Sequence, residues 1–214
     1  MLVQTLLVAG LLFALPLGAA LQRRRLTAAD WAGTLAVVAG LGLFVAVARP
    51  SAGRGEASTR AWAVTVGLTG GLVAALVLRA PGRPGATRAT CLGAACGVLF
   101  GLDAALFKAT GHLLDLGLGH ALAAWQPYAL AALAAFGFLL SQSAFQAGPL
   151  ASSLPLITAA DPLASALIGV LAFHERLTAG AAAATAQVAA VAAIVAGIWL
   201  LARSPLVTGA VPST

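Results

Sequence analysis

The chain has 214 residues, of which 61% are hydrophobic and 8% are charged, and its mean hydropathy is +0.99. These values exclude a soluble globular domain and place the chain in a lipid bilayer. Although the net charge is +6, the basic residues lie mostly in short connections between apolar runs. This arrangement indicates orientation in a membrane and argues against nucleic-acid binding.

Seven apolar runs are long enough to cross the hydrocarbon core as helices, which takes about 20 largely apolar residues each. In chain order they cover residues 2–21, 31–48, 61–78, 91–110, 124–147, 150–173 and 180–202. A shorter, mixed segment at 111–122 suits the membrane interface. The sequence therefore predicts an all-α integral membrane protein with seven transmembrane helices.

The basic residues after the first run indicate its orientation. Arg23, Arg24 and Arg25 follow the apolar core, whereas a secretory signal peptide carries its basic residues before the core. We therefore predict a span that starts outside and places its Arg triplet in the cytoplasm.

Small residues recur every four positions on three of the runs. Such stripes let helix backbones approach closely in lipid, so we expect them to be helix-packing surfaces, with a dimer face as the alternative for each. They are Gly10, Ala14 and Gly18 on the first run, Gly67 and Gly71 on the third, and Gly93, Gly97 and Gly101 on the fourth.

A short sequence occurs at two corresponding places. Arg25 opens the tetrapeptide RLTA at 25–28, and Arg176, preceded by Glu175, opens the same tetrapeptide at 176–179. Each copy lies between a Pro-containing run and a Gly/Ala-rich run, so Arg25, Glu175 and Arg176 are predicted hinge residues. Because the copies are five runs apart, an odd number, they face opposite sides of the membrane. Inverted-topology repeats of secondary transporters have this property.

Two segments resemble a known family. They are LLVAGLLFALPLGAALQRRRLTAADWAGTLAVVAGLGLFVA at 6–46 and FQAGPLASSLPLITAADPLASALIGVLAFHERL at 145–177. Both are similar to EamA-type members of the drug/metabolite transporter superfamily, which have ten helices in two inverted five-helix repeats. The hinge of that family commonly has Glu before Arg, as in Glu175-Arg176, but the first copy here has Arg24-Arg25.

The resemblance implies a division of the chain. Residues 1–48 correspond to the last two helices of a first repeat, 49–60 form a connection, 61–203 correspond to a complete second repeat, and 204–214 form a polar tail. The implied architecture is a partial bundle with 2+5 of the family's helices. Three N-terminal helices of the family pattern have no counterpart in the sequence.

The sixth run carries an acidic residue near its middle, Asp161, with Thr158 and Ser165 on the same helical face. Pro162 frees the carbonyl of Thr158, and together with Pro155 it predicts a break in the helix. A carboxyl group at this depth can line a substrate pathway and exchange a proton. The alternative is a protonated or capped Asp161 that only bends the helix.

Polar residues on two other runs are further candidates for the pathway. Asp103 lies on the fourth run, where the nearby Lys108 is predicted to reach the interface. Gln142 and Gln146 are four positions apart on the fifth run, and either contact substrate or tie helices together.

No pattern in the sequence predicts an enzyme, a metal site or a cofactor. His112, Asp115 and His120 are the only cluster of potential ligands, and their spacing suits no single helical face. Nucleophile–base patterns and phosphate-binding loops are absent from the sequence.

The resemblance implies a secondary transporter that moves small metabolites or drugs across the cell membrane by alternating access, with proton coupling as an option. Two alternatives stay open. One is a truncated or non-transporting membrane subunit that needs a partner, for example as a homodimer. The other is a divalent-cation carrier similar to the magnesium transporters related to this superfamily.

Overall fold

The computed structural model of the chain describes residues 20, 26–48, 56–175 and 181–203. These residues form seven helices and no strand: α1 (Ala28–Ala48), α2 (Thr59–Leu78), α3 (Gly85–Asp115), α4 (Leu118–Ala123), α5 (Gln126–Ala147), α6 (Leu150–Phe173) and α7 (Ala181–Ala202). All except the short α4 are long and apolar enough to cross a membrane. The described chain is therefore all-α, with the helices of a multi-pass membrane protein. The first predicted span, 2–21, lies outside the described residues.

The central helix of the bundle is α3. In the most apolar stretch of α3, 56% of the residues are buried inside the protein. The corresponding share is 22–39% in the other five long helices. It has 31 residues, more than the 20 or so that span the hydrocarbon core, and it extends beyond both ends of the predicted run 91–110. Apolar patterning marks only the part of a helix that lies in lipid, so it missed these polar ends. For α6 the predicted and observed bounds agree.

A capping box begins α1. The backbone N–H of Thr27 donates to Asp30 Oδ2 at 2.7 Å, and the N–H of Asp30 donates to Thr27 Oγ1 at 3.3 Å. These bonds satisfy amide groups that a helix start leaves without partners. The second RLTA copy has Ala181 at the position that corresponds to Asp30, so its sequence lacks this cap.

Pro155 and Pro162 both lie inside α6, which runs without interruption from Leu150 to Phe173. The predicted helix break is therefore wrong. A proline removes one backbone donor and bends a helix, but the hydrogen bonds of the other residues continue on both sides. Within hydrocarbon, ending the helix would leave several backbone groups unpaired, which costs more than one missing bond.

The helix pair α1 and α7 is antiparallel. Gly33 lies against Gly197, and Gly40, two turns further along α1, lies against Ala190. A Cβ atom on Gly33 would be 3.0 Å from the carbonyl oxygen of Gly197, and one on Gly197 would be 2.6 Å from that of Gly33. The two backbones are therefore in direct contact, as small residues allow.

The pair α3 and α5 is also antiparallel, with Gly85 against Ala147 and Gly137 against Phe100. Cys96 donates to the carbonyl oxygen of Gly137 at 3.5 Å, which fixes the same register. As spans that follow one another along the chain, α3 and α5 thus run in opposite directions, as expected when each crosses a membrane once.

Three aromatic rings meet where α2 begins and α6 ends. The Trp62 ring lies edge-on to Trp125, with centroids 5.2 Å apart, and edge-on to Phe173, with centroids 5.8 Å apart. Such T-shaped pairs are favoured by the ring quadrupoles. We call this end of the bundle, marked by Trp62, Trp125 and Phe173, the aromatic end.

Candidate functional site

The contact between α3 and α6 is made by the glycine seam, which we define as Gly93, Gly97 and Gly101. A Cβ atom at Gly93 would lie 2.7 Å from the carbonyl oxygen of Ser153, and one at Gly97 would lie 2.7 Å from another carbonyl of α6. At Gly101 it would overlap the Cβ atom of Ala164. The helices run parallel and touch backbone to backbone, so the predicted packing surface is confirmed.

The stripe on α2 is different. Added Cβ atoms at Gly67 and Gly71 would meet no atom of the described chain within 4 Å. No described helix therefore packs on this stripe, because repetition of glycine shows that close approach is possible but not that a partner is present. The alternative of a dimer face stays a prediction. The stripe at Gly10, Ala14 and Gly18 lies outside the described residues.

The seam brings together the carboxyl groups of its two helices. Asp103 follows Gly101 by two residues on α3, and Asp161 directly follows Ala160, whose Cβ atom lies 2.7 Å from the position of an added Cβ at Gly97. Ser165 donates to Asp161 Oδ1 at 3.2 Å. One oxygen of Asp103, Oδ1, is buried and has no hydrogen-bond partner among the described residues. We call Asp103 and Asp161 the carboxyl pair; it is polar, half-buried and flanked by small residues.

Thr158 lies on the same face of α6, but its hydroxyl donates to the carbonyl of Leu154 at 2.9 Å. This bond satisfies the donor within the helix, as is common for Thr in membrane spans. Of the residues predicted around Asp161, the structure therefore joins Ser165 to the carboxylate, whereas Thr158 bonds its own backbone.

Gln142 and Gln146 lie on α5, which packs against α3. Gln142 is half-buried and Gln146 is exposed. In the described chain, neither side chain makes a hydrogen bond to another helix or to the carboxyl pair. Of the six residues predicted to line a pathway, the structure thus joins Ser165 and Asp161 by a hydrogen bond, and the role of the others stays a prediction.

An ion pair between Lys108 and Glu175 joins α3 to the segment after α6. The Lys108 ammonium also lies 4.6 Å from the centre of the Phe173 ring, a cation–π arrangement. Glu175 folds back over the helix end: its N–H donates to the Gly169 carbonyl at 3.0 Å, with His174 in the left-handed region at φ 51°. Lys108 thus binds a partner rather than extending alone to the interface.

The sequence contained a signal for this ion pair that spacing within one helix does not reveal. Lys108 and Glu175 have opposite charges. Lys108 lies near the end of one apolar run and Glu175 just after another, and the two runs cross the membrane in the same direction. Charged residues at the same ends of parallel spans share one membrane face, which allows them to pair.

Other predicted residues add no further site. Arg25 and Arg176 lie outside the described residues, so only Glu175 of the predicted hinge is placed. Within the described ranges, no group of three or more His, Cys, Asp or Glu residues could hold a metal ion. His112, Asp115 and His120 therefore do not form a metal-binding cluster there.

Comparison with known proteins gives one informative match. No protein-family model matches the chain, and no solved structure matches it. The chain is similar to an uncharacterized protein of Corynebacterium glutamicum, with 33% identity over 183 residues. The match covers 81% of this chain but 61% of that relative, so the chain spans less than two thirds of the relative's length. The likeness assigns no activity.

Proposed function

We propose that the chain belongs to a secondary transporter of the drug/metabolite type in the cell membrane, and that its small-molecule substrate passes the carboxyl pair. The proposal rests on the position of this pair: Asp103 and Asp161 lie on two parallel apolar helices. Ionisable groups within membrane spans are costly, so they are retained mostly where they contact a substrate, an ion or water.

The α1–α7 crossing supports an inverted-repeat architecture with seven spans in a 2+5 arrangement. The RLTA copies begin at Arg25 and Arg176, 151 residues apart. Gly40 and Ala190, which are in contact, are 150 residues apart. The offset of 151 makes Gly40 equivalent to Val191, the neighbour of Ala190, so equivalent positions meet to within one residue at the crossing. A two-fold axis in the membrane plane through this point requires such a contact and an antiparallel pair.

The glycine seam explains how the carboxyl pair can change its surroundings. At the glycines the two backbones touch with no α3 side chain between them, and Leu99 and Ile157 pack beside this contact. We infer that α3 and α6 shift against each other along the seam. A shift along the seam moves Asp103 relative to Asp161 and changes which polar groups face the pathway. Two carboxyl groups on adjoining helices repel each other when both are ionised, so a bound proton or a cationic substrate stabilises the pair.

The proposal is tested by flux into proteoliposomes. The full chain is reconstituted and challenged with a panel of radiolabelled amino acids, amines and sugars, in parallel with Mg²⁺ followed by a trapped fluorescent indicator. We expect uptake of at least one organic solute above that of protein-free liposomes, and its loss in Asp161→Asn. Absence of all organic flux from correctly folded protein would support the non-transporting subunit. Mg²⁺ flux that depends on Asp161 would support the cation carrier.

A further inference from the structure

A cleft of about 500 Å³ opens at the aromatic end, between the start of α2, the end of α3 and the start of α5. This volume lies in the range of small-molecule sites. Neither residue of the carboxyl pair lines the cleft, so it is a site separate from the pathway proposed above.

The walls of the cleft are aromatic and apolar. Trp62 and Trp125 face it, together with Val66 and Leu113. Trp62 is 5% exposed, and its ring is held between Trp125 and Phe173. A ring held in this way presents a fixed face or edge to a ligand at little entropic cost.

The polar groups that line the cleft include two hydrogen-bond acceptors. Glu56 contributes a carboxylate from an exposed bend before α2. Gln126 contributes its carboxamide, whose Oε1 is buried and has no partner among the described residues. A buried acceptor without a hydrogen-bond partner destabilises the protein, and a donor group on a ligand would remove this cost.

Glu56 is the charged residue among the described residues that line the cleft, and the exposed Arg60 nearby on α2 is not part of the lining. None of its described lining residues is basic, although the chain as a whole carries a net charge of +6. The start of α2, where free amide groups would favour an anion, is capped by Ser58, whose hydroxyl accepts the N–H of Ala61 at 3.2 Å. The nearby Lys108 is neutralised by Glu175.

From this combination we infer that the cleft binds the ammonium group of an amphipathic organic cation. The cation lies beside Glu56 and the rings of Trp62 and Trp125, and its apolar part lies against Val66 and Leu113. Carboxylates and tryptophan rings attract such cations. An N–H donor, where the ligand has one, pairs with Gln126 Oε1. Free amines and lipid headgroups both carry this chemistry.

The test is calorimetric binding of benzyltrimethylammonium to the full chain in a neutral detergent. We expect saturable binding that Glu56→Gln weakens by about tenfold or more, the effect of losing a contact with a charged group. Trp125→Leu should also weaken it. Asp115→Asn is the matched control, because it removes one exposed carboxylate near the same end without altering the cleft; its affinity should stay within about twofold of wild type. The readout is equilibrium binding, so its result is independent of transport.

A second experiment distinguishes a free organic cation from a lipid headgroup as the natural ligand. Binding is repeated in phosphatidylglycerol nanodiscs with and without phosphatidylcholine. Competition by phosphatidylcholine identifies a lipid headgroup as a ligand, and undiminished binding identifies a free solute. The inference is overturned if folded wild type does not bind the cation, if Glu56→Gln binds it equally well, or if neopentylbenzene, its uncharged isostere, competes with equal affinity.

Discussion

Lys108 shows how a single residue takes its role from its neighbours. Its ammonium group lies beside the Glu175 carboxylate and over the Phe173 ring. Side-chain exposure is 37% for Lys108 and 12% for Glu175, so one partner is largely withdrawn from water and the other is not. The pair stabilises the aromatic end by connecting α3 to the end of α6.

A double-mutant cycle measures this ion pair. We expect Lys108→Met and Glu175→Gln each to lower the unfolding temperature in detergent, and the double variant to lose less than the sum of the two. The expected coupling is about 1 kcal/mol, between the values typical of exposed and buried pairs. Additive effects of the two substitutions would show that the charges do not interact.

At the scale of helices, the two glycine stripes differ in what surrounds them. The seam on α3 has no space for a methyl group, whereas Gly67 and Gly71 on α2 face open space among the described residues. Sequence periodicity alone makes the two stripes look alike, so the difference is set by which helix is adjacent.

Alanine substitutions separate the two cases. Gly101→Ala places a methyl group on Ala164 and should push α3 and α6 apart, with a loss of about 1–3 kcal/mol. Gly67→Ala should be neutral, or stabilising by up to about 1 kcal/mol, because alanine favours the helix. Thermal unfolding in detergent measures both. Equal destabilisation by the two variants would show that Gly67 also contacts a partner.

The helices were largely predictable from the sequence, because the need to bury about 20 apolar residues per crossing is strong and local. Within the described residues, the six spans were found and α6 was placed at its observed bounds. Asp161 and Ser165 were predicted on one helical face and are joined by a hydrogen bond. The sequence could not show which helix packs against each helical face, because that depends on the register between helices. The open stripe at Gly67 and the lack of a hydrogen bond from Gln142 to another helix of the described chain both depend on that register.

At the scale of the molecule, α3 is a central helix with α6 along one side and α2 and α5 around it, and α1 pairs with α7. The antiparallel α1–α7 pair holds Gly40 against Ala190, whereas the parallel α3–α6 pair holds the two carboxyl groups. One interface thus accounts for the proposed symmetry and the other for the proposed pathway.

Transport past the carboxyl pair is tested most directly by the initial flux rate of matched Asp→Asn variants in proteoliposomes, with the solute that wild type carries. Asp161→Asn and Asp103→Asn should each lower the rate by at least about tenfold, and the double variant should be no slower than the slower single variant, since the two groups act together. Asp115→Asn, which removes an exposed carboxylate at the end of α3, should retain the wild-type rate. Wild-type flux in folded Asp161→Asn and Asp103→Asn would contradict a pathway at this pair.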